Sequence, residues 1–163
     1  MQAVSAAIKA VVLDVDGVLT DGTFWWGPDG QEWKRFSFRD VMGVSKARRA
    51  GLVIALISGE NSPLVDRFAE KMGIEHVVKG CKDKAGALRD FARRAGLALA
   101  EIAFMGDDVN DLEAMKLAGL SAAPNDAHHS ARKQAVFLSR HNGGQGAVRE
   151  LLDHLVEPPA KPA

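Results

Sequence analysis

Acidic residues follow two apolar stretches of the sequence at short spacing. Asp14 and Asp16 come after the run AVVL, and Asp107, Asp108 and Asp111 lie in the segment GDDVND after IAFM. Carboxylates two residues apart at a strand tip lie on the same side of the pleat. Such a pair costs free energy unless a cation or a proton lies between the two charges. Taken alone, the first pair could cap an edge loop, and the second group fits helix capping and metal binding equally well.

Two other segments carry groups that suit an anion. Ser58 and Gly59 follow the run LVIALI and precede a helix that Pro63 opens, so a hydroxyl and free backbone N–H groups meet at a helix start. Lys84 opens another helix, where a positive charge is unfavourable unless an anion lies nearby. Neither segment is specific by itself, because Ser-Gly is common in turns and lysines are usually solvated.

The four segments together predict chemistry on a phosphate ester. Carboxylates with few other ligand types suit Mg²⁺, which prefers oxygen ligands and keeps several waters for a substrate phosphate. A nucleophilic carboxylate beside a metal is one way to split the hydrolysis of such an ester into two easier steps.

Short apolar runs alternate with segments of helical period along the whole chain. Strands are expected at 10–15, 52–57, 76–78, 102–105, 120–123 and 136–138, and helices at 41–50, 63–72, 84–95, 109–118, 127–134 and 146–156. Continuous apolar runs indicate strands that are buried on both faces. The pattern predicts a doubly wound, mostly parallel α/β sheet with helices on both faces. In such sheets, ligands bind beyond the carboxyl ends of the strands, where the four segments fall.

The composition is that of an ordinary globular protein. The chain has 163 residues and 21 basic against 21 acidic side chains, which argues against a nucleic-acid or anionic-membrane surface. Cys81 is the only cysteine, so no disulfide can form within the chain and a reducing cytoplasm is expected. No apolar run approaches the roughly 20 residues that a membrane span needs. We expect one domain over 1–156 and a disordered Pro-rich tail over 157–163.

In order along the chain, the segments DVDGVLTDG, SG, the lysine of KDK and GDDVND resemble the four motifs of the haloacid dehalogenase superfamily of phosphatases. The resemblance spans roughly residues 10–150. It implies that Asp14 is the nucleophile that forms an aspartyl-phosphate. It also implies that Asp16 protonates the leaving alkoxide and then activates water.

The same resemblance assigns the remaining residues of the four motifs. Mg²⁺ would be held by three groups: Asp14, the backbone carbonyl of Asp16, and Asp107. Asp108 and Asp111 would support the metal site from outside. The transferring phosphoryl group would be held by Ser58, Gly59 and Lys84.

The segment TFWWGPDGQEWKRF, residues 23–36, contains all three tryptophans around a Pro-Asp-Gly turn. Alternation places Trp25 on one face of the predicted hairpin and Phe24 and Trp26 on the other, and an isolated ribbon could not keep both faces in water. No cap domain fits between the first two main strands. The chain is similar to a capless subfamily in which such hairpins meet around the axis of a homotetramer, so we expect a homotetramer.

The C-terminal segment GGQGAVREL, 143–151, matches the tail motif of that subfamily, which reaches toward a neighbouring active site. Arg149 could therefore bind a substrate carboxylate in a neighbour's site, or it could be an ordinary helix-start arginine. The segment is not a dinucleotide fingerprint, because its third glycine is missing and no strand leads into it.

The subfamily comprises phosphatases similar to those of 3-deoxy-D-manno-octulosonate 8-phosphate and 2-keto-3-deoxynononate 9-phosphate. SFRDVMG matches part of their substrate loop and places Arg39 and Asp40 near the sugar. Octulosonate enzymes typically have arginine where this chain has Glu60, and Glu60 with Lys71 resembles the nine-carbon pattern. These two residues are roughly 16 Å apart along a helix, so Lys71 would serve a neighbour's site. This favours a nine-carbon substrate.

Three alternatives compete with this prediction. Another small phosphorylated sugar could be the substrate. A phospho-accepting module like a response-regulator receiver shares the sheet, the acids, a hydroxyl and a lysine, but Asp16 supplies the acid that turnover needs. A scaffold without activity is disfavoured because every chemical position is filled.

His128 and His129 are expected to be solvated surface residues rather than metal ligands.

Overall fold

The computed structural model describes residues 8–157. The tail expected to be disordered therefore lies outside the described residues, apart from Glu157. In chain order the strands are β1 (Ala10–Leu13), β2 (Trp25–Trp26), β3 (Glu32–Trp33), β4 (Val53–Ile57), β5 (His76–Val78), β6 (Ile102–Met105), β7 (Leu120–Ala123) and β8 (Phe137–Leu138). Six of them form one sheet in the order β5-β4-β1-β6-β7-β8, and every neighbouring pair is parallel.

The helices are α1 (Phe38–Arg49), α2 (Pro63–Met72), α3 (Lys84–Ala95), α4 (Leu112–Leu117), α5 (His129–Gln134) and α6 (Ala147–Val156). They pack on the two faces of the sheet as two separate hydrophobic layers. Val11 and Leu13 of the central strand face the layer of α1, α2 and α6, whereas Ala10 and Val12 face the layer of α3, α4 and α5. The predicted doubly wound sheet is therefore confirmed, and burial on both faces explains why its strands are continuous apolar runs.

Three strands and two helices begin and end where the sequence predicts: β5, β6, β7, α2 and α3. Elsewhere the boundaries differ for local reasons. Helix α1 begins at Phe38, earlier than expected, because the Ser37 side chain accepts the Arg39 N–H as an N-cap. The helix predicted over 109–118 divides into a 3₁₀ turn, Val109–Asp111, and α4, because Asp108 caps the turn.

Between β1 and β4 the chain forms the hairpin and α1. The hairpin pairs Trp25 with Trp33 and Trp26 with Glu32 in a two-stranded sheet of its own. Phe24 and Trp26 lie with ring centroids 4.8 Å apart, which fits the predicted shared face. The four large rings of the hairpin are each about half exposed or more: Phe24, Trp25, Trp26 and Trp33.

Within residues 8–157, no helix is long and apolar enough to cross a membrane.

Candidate active site

Lys84 lies at the centre of the strand ends, between two carboxylates. Its Nζ is 3.0 Å from Asp14 Oδ1 and 2.6 Å from Asp111 Oδ1, and all three side chains are at least nine-tenths buried. Lys84 is the first residue of α3, where Asp83 provides the N-cap. Burial disfavours the ammonium ion, but the attraction of Asp14 and Asp111 outweighs burial and raises the pKa of Lys84. The anion expected to compensate this lysine is therefore supplied by the protein's own carboxylates.

Asp14, Asp107 and Asp111 form a cluster of three carboxylates whose nearest oxygen atoms lie within 4.8 Å of one another. Burial, and then the charge of Asp111, raise the pKa of Asp14 to about 6. Burial and the charge of Asp14 raise the pKa of Asp107 to about 9. One lysine does not balance three carboxylates, so the cluster fits a divalent cation that prefers oxygen ligands.

Asp111 organises this cluster through both of its oxygen atoms. Its Oδ1 accepts from Lys84, and its Oδ2 accepts the backbone N–H groups of Asp107 and Asp108 at 2.9 and 3.1 Å. The Asp108 carboxylate is exposed and accepts the Val109 N–H as a cap of the 3₁₀ turn. Asp111 belongs to the carboxylate cluster and Asp108 does not, and the supporting roles expected for both stay predictions.

Asp16 lies on a tight loop after β1 and contacts a lysine that the sequence reasoning did not identify. Lys34, which follows β3, places Nζ 2.7 Å from Asp16 Oδ1. Because β1 ends at Leu13, the pleat does not set the relative orientation of Asp14 and Asp16, contrary to the expectation. The two carboxylates instead pair with different lysines. No local signal could have revealed Lys34, because the contact depends on how the hairpin folds back.

Two other parts of the chain lie very close to the Asp16 loop, and a glycine makes each of these close contacts possible. Gly17 has a φ of +85°, and a Cβ there would overlap the Asp107 carboxylate. On the other side, a Cβ at Gly143 would overlap the Gly17 carbonyl, and the Gly144 N–H donates to the Val18 carbonyl at 3.0 Å. The glycine pair of the C-terminal segment therefore holds the Asp16 loop of its own chain. This role of Gly143 was missed.

Ser58 and Gly59 form the loop after β4. Ser58 is fully buried, and its Oγ accepts the Glu60 N–H at 3.2 Å, so its hydroxyl hydrogen stays free to donate. A Cβ at Gly59 would lie 3.7 Å from the Asn110 side chain and 3.8 Å from the Cys81 carbonyl. The second motif therefore adjoins the loops that carry the third and fourth motifs.

Asp40 and Arg149, both expected to contact substrate, join helix α1 to helix α6. Asp40 is completely buried, and its Oδ1 accepts the Arg149 N–H at 2.9 Å in the first turn of α6. Asp40 has no exposed surface in the folded chain, and its predicted contact with the sugar stays a prediction. The Arg149 guanidinium pairs with Asp153 at 2.6 Å, and the apolar residues of α6 pack on their own chain.

The other three predicted substrate residues are exposed. Arg39 lines a basic cavity of about 590 Å³ with Arg140 and His141. Lys71 lines a larger groove of about 740 Å³, where its Nζ lies 5.7 Å from the centre of the Phe38 ring. Glu60 lies in the loop before α2 and borders neither cavity. Arg39 and Lys71 thus line different cavities of the single chain.

Comparisons with known proteins agree with the four motifs. Residues 68–151 match the family described as haloacid dehalogenase-like hydrolase. The chain is 38% identical over 149 residues to the 3-deoxy-D-manno-octulosonate 8-phosphate phosphatase of Escherichia coli K12, covering 91% of this chain and 79% of that protein. It is 35% identical to the phosphatase of the same name from Yersinia pestis, covering 91% of this chain and 80% of that protein.

Solved structures give the same result. The Moraxella catarrhalis 3-deoxy-D-manno-octulosonate 8-phosphate phosphatase, in complex with a magnesium ion, a phosphate ion and a KDO molecule, superposes with a TM-score of 0.92 at 33% identity, covering 94% of this chain and 88% of that one. The cobalt-bound Haemophilus influenzae phosphatase gives 0.91 at 34% identity, covering 94% and 90%. The chain therefore belongs to the haloacid dehalogenase-like hydrolases and is a phosphatase of that family.

Proposed function

We propose that this phosphatase removes the terminal phosphate from a 2-keto-3-deoxy sugar-acid phosphate by way of an aspartyl-phosphate. The observation that carries the proposal is the buried Lys84, which places a cation beside Asp14 at the same strand ends where Asp14, Asp107 and Asp111 form a carboxylate cluster. A phosphate monoester needs both, because its negative oxygens must be neutralised while an anionic carboxylate attacks phosphorus. A receiver-like module is set aside, because the family is one of hydrolases and the relatives are named as phosphatases.

The reaction has two steps, and the residues of this chain have separate roles in them. The Asp14 carboxylate attacks phosphorus, while Lys84, the Ser58 hydroxyl and the Gly59 N–H hold the phosphoryl oxygens. Asp16 gives its proton to the leaving oxygen, so the alcohol departs and Asp14 carries the phosphoryl group. Asp16, now ionised, takes a proton from a water molecule that attacks the same phosphorus and releases phosphate. Asp14 is thereby restored.

The donor set fits Mg²⁺. The ion would be held by Asp14, the backbone carbonyl of Asp16, and Asp107, since the two oxygens of Asp111 are already engaged with Lys84 and backbone N–H groups. When bound, Mg²⁺ supplies positive charge that offsets the charge of the phosphoryl oxygens. Gly17 serves this site by allowing the Asp107 carboxylate to lie against the first-motif loop.

For the substrate, we propose the eight-carbon 3-deoxy-D-manno-octulosonate 8-phosphate. Relatives at 35–38% identity carry that activity in their names, whereas the nine-carbon preference read from Glu60 and Lys71 has no support among them. The nine-carbon 2-keto-3-deoxynononate 9-phosphate is kept as second candidate, because Glu60 is exposed in the loop after β4 and could face a ligand.

Phosphate release from a panel of sugar phosphates tests the proposal. We expect the eight-carbon substrate to give the highest kcat/KM, with activity lost in EDTA and restored by Mg²⁺. Asp14→Asn is the control and should be inactive. A higher kcat/KM for the nine-carbon substrate would replace the first candidate by the second. Turnover of neither sugar acid, or full activity of Asp14→Asn, would contradict the proposal.

We also propose that the chain works as a homotetramer through the 23–36 hairpin. The support is the exposure of Phe24, Trp25, Trp26 and Trp33 in the single chain. Aromatic rings of this size are enriched at protein interfaces. With no second domain over the strand ends in residues 8–157, neighbouring chains would restrict access of water to the site.

A further inference from the structure

The hairpin reaches the active site through Lys34. Its Nζ lies 2.7 Å from Asp16 Oδ1 and 3.5 Å from Glu32 Oε1, and its side chain is only 2% exposed. A lysine on a two-stranded ribbon ordinarily extends its ammonium group into water. Burying this group costs free energy unless carboxylates compensate it. The buried contact is therefore a specific feature of the fold.

Lys34 is itself held in place through Glu32, which has two further contacts. Glu32 Oε2 accepts the Trp26 indole N–H at 3.1 Å, and Glu32 Oε1 lies 3.5 Å from the Ser62 hydroxyl at the start of α2. Trp26 in β2 and Ser62 at the start of α2 thus orient Glu32, which lies beside the ammonium group. Its position does not depend on the long, flexible side chain alone.

Asp16, by contrast, has few other constraints. Its side chain is 30% exposed, and within residues 8–157 the hydrogen bond from Lys34 is the only one that its carboxylate makes. A carboxylate on a loop could adopt several rotamers without this contact. Proton transfer requires the carboxyl oxygen within about 3 Å of its partner atom, so its orientation matters for the rate.

We propose that Lys34 is the positioning residue of Asp16, which rests on the proposed role of Asp16 as the acid and base of the reaction. The Lys34 ammonium holds Oδ1 and leaves Oδ2 for the leaving oxygen and then for water. Lys34 need not touch the substrate. The hairpin is thereby part of the catalytic machinery as well as the expected contact between subunits.

Kinetics of Lys34→Met test this assignment, since methionine keeps the length of the stem and removes the ammonium group. A displacement of about 1 Å can cost on the order of 100-fold in rate, so we expect kcat to fall about 10- to 100-fold with KM changed less than about threefold. Lys34→Arg should recover part of this loss. Lys116→Met is the matched control, because it makes the same substitution at a lysine that pairs with a carboxylate outside the hairpin, Glu113 on α4 at 2.6 Å. It should keep kcat within about twofold of the wild type.

A second variant separates positioning from a structural role. In an Asp16→Asn background, Lys34→Met should lower kcat by no more than about twofold further, because the side chain it positions has lost its function. Losses that multiply in this background, or a kcat of Lys34→Met within twofold of the wild type, would overturn the inference. The assay uses whichever phosphomonoester the wild type turns over fastest. A wrong sugar acid in the proposed function therefore leaves this test intact.

Discussion

Lys84 lies between two buried carboxylates, so its removal would affect both the chemistry and the fold. For Lys84→Met we expect kcat to fall about 10²- to 10³-fold, as for the loss of one preorganised group that stabilises charge in a transition state. The free energy of unfolding should fall too, by about 3–5 kcal/mol, because Asp14 and Asp111 lose their partner. Steady-state kinetics and urea unfolding measure the two effects.

The matched control for this variant lies two residues away. Lys82 is exposed, so Lys82→Met should leave both kcat and stability close to those of the wild type. Equal effects of the two substitutions would show that loss of positive charge in this segment, and not the position of Lys84, is what matters.

Asp107 provides a test of the metal site that does not depend on turnover. A ligand that binds only the folded chain stabilises it by about 2.7 kcal/mol at one hundred times its Kd. We therefore expect Mg²⁺ to raise the Tm of the wild type and to leave that of Asp107→Asn nearly unchanged. Asp108→Asn is the control and should retain the shift, because its exposed carboxylate caps a turn. A Mg²⁺ shift of full size in Asp107→Asn would contradict this assignment.

At the level of elements, α1 and α6 depend on each other through Asp40. Gly146 supplies no side-chain cap to α6, and the Asp40 carboxylate supplies the missing acceptor from α1. Loss of such a cap costs about 1–2 kcal/mol, so Asp40→Ala should lower the free energy of unfolding by at least that much. Asp40→Asn keeps an acceptor and should lose less.

The charge of Asp40 adds a pH dependence to this comparison. Burial raises the pKa of Asp40 above its ordinary value, although the Arg149 N–H opposes the effect. A raised pKa in the folded state means that the stabilising contribution is complete below the unfolded pKa of about 3.9 and declines as pH rises through the folded value. Wild type should therefore lose stability relative to Asp40→Asn as pH increases above about 4, measured by urea unfolding. A difference that is constant with pH would contradict the shift.

Helices whose ends are marked by their own residues could be predicted from the sequence. Ser62 and Pro63 mark the beginning of α2, and Lys84 and Gly96 bound α3, so these helices begin and end where expected. Asp14, Asp16 and Asp107 follow strands whose ends meet at one edge, which is why the candidate site could be predicted too. The contacts of Asp40 and Lys34 could not, because each joins residues far apart in the chain and neither partner carries a local pattern for it.

At the scale of the whole molecule, the exposed hairpin leads to a prediction about assembly. Trp25 and Trp26 are 55% and 68% exposed and lie on opposite faces of the ribbon, so neither the sheet nor the helices of the same chain cover them. We expect the wild type to be a tetramer by light scattering at micromolar concentration. Replacing both residues by serine should lower the measured mass, because the buried aromatic area that holds the subunits is lost.

The control for assembly uses an exposed apolar residue far from the hairpin in sequence. Val136 is 60% exposed just before β8, so Val136→Ser should leave the mass unchanged. The doubly substituted hairpin should also lose activity, since Trp26 helps to fix Glu32 and thereby Lys34 beside Asp16. Trp25→Ser alone separates the two effects. It removes an exposed ring but leaves the contacts from Trp26 through Glu32 to Lys34 in place. A wild type that is monomeric and fully active would show that the aromatic ribbon does not assemble the enzyme.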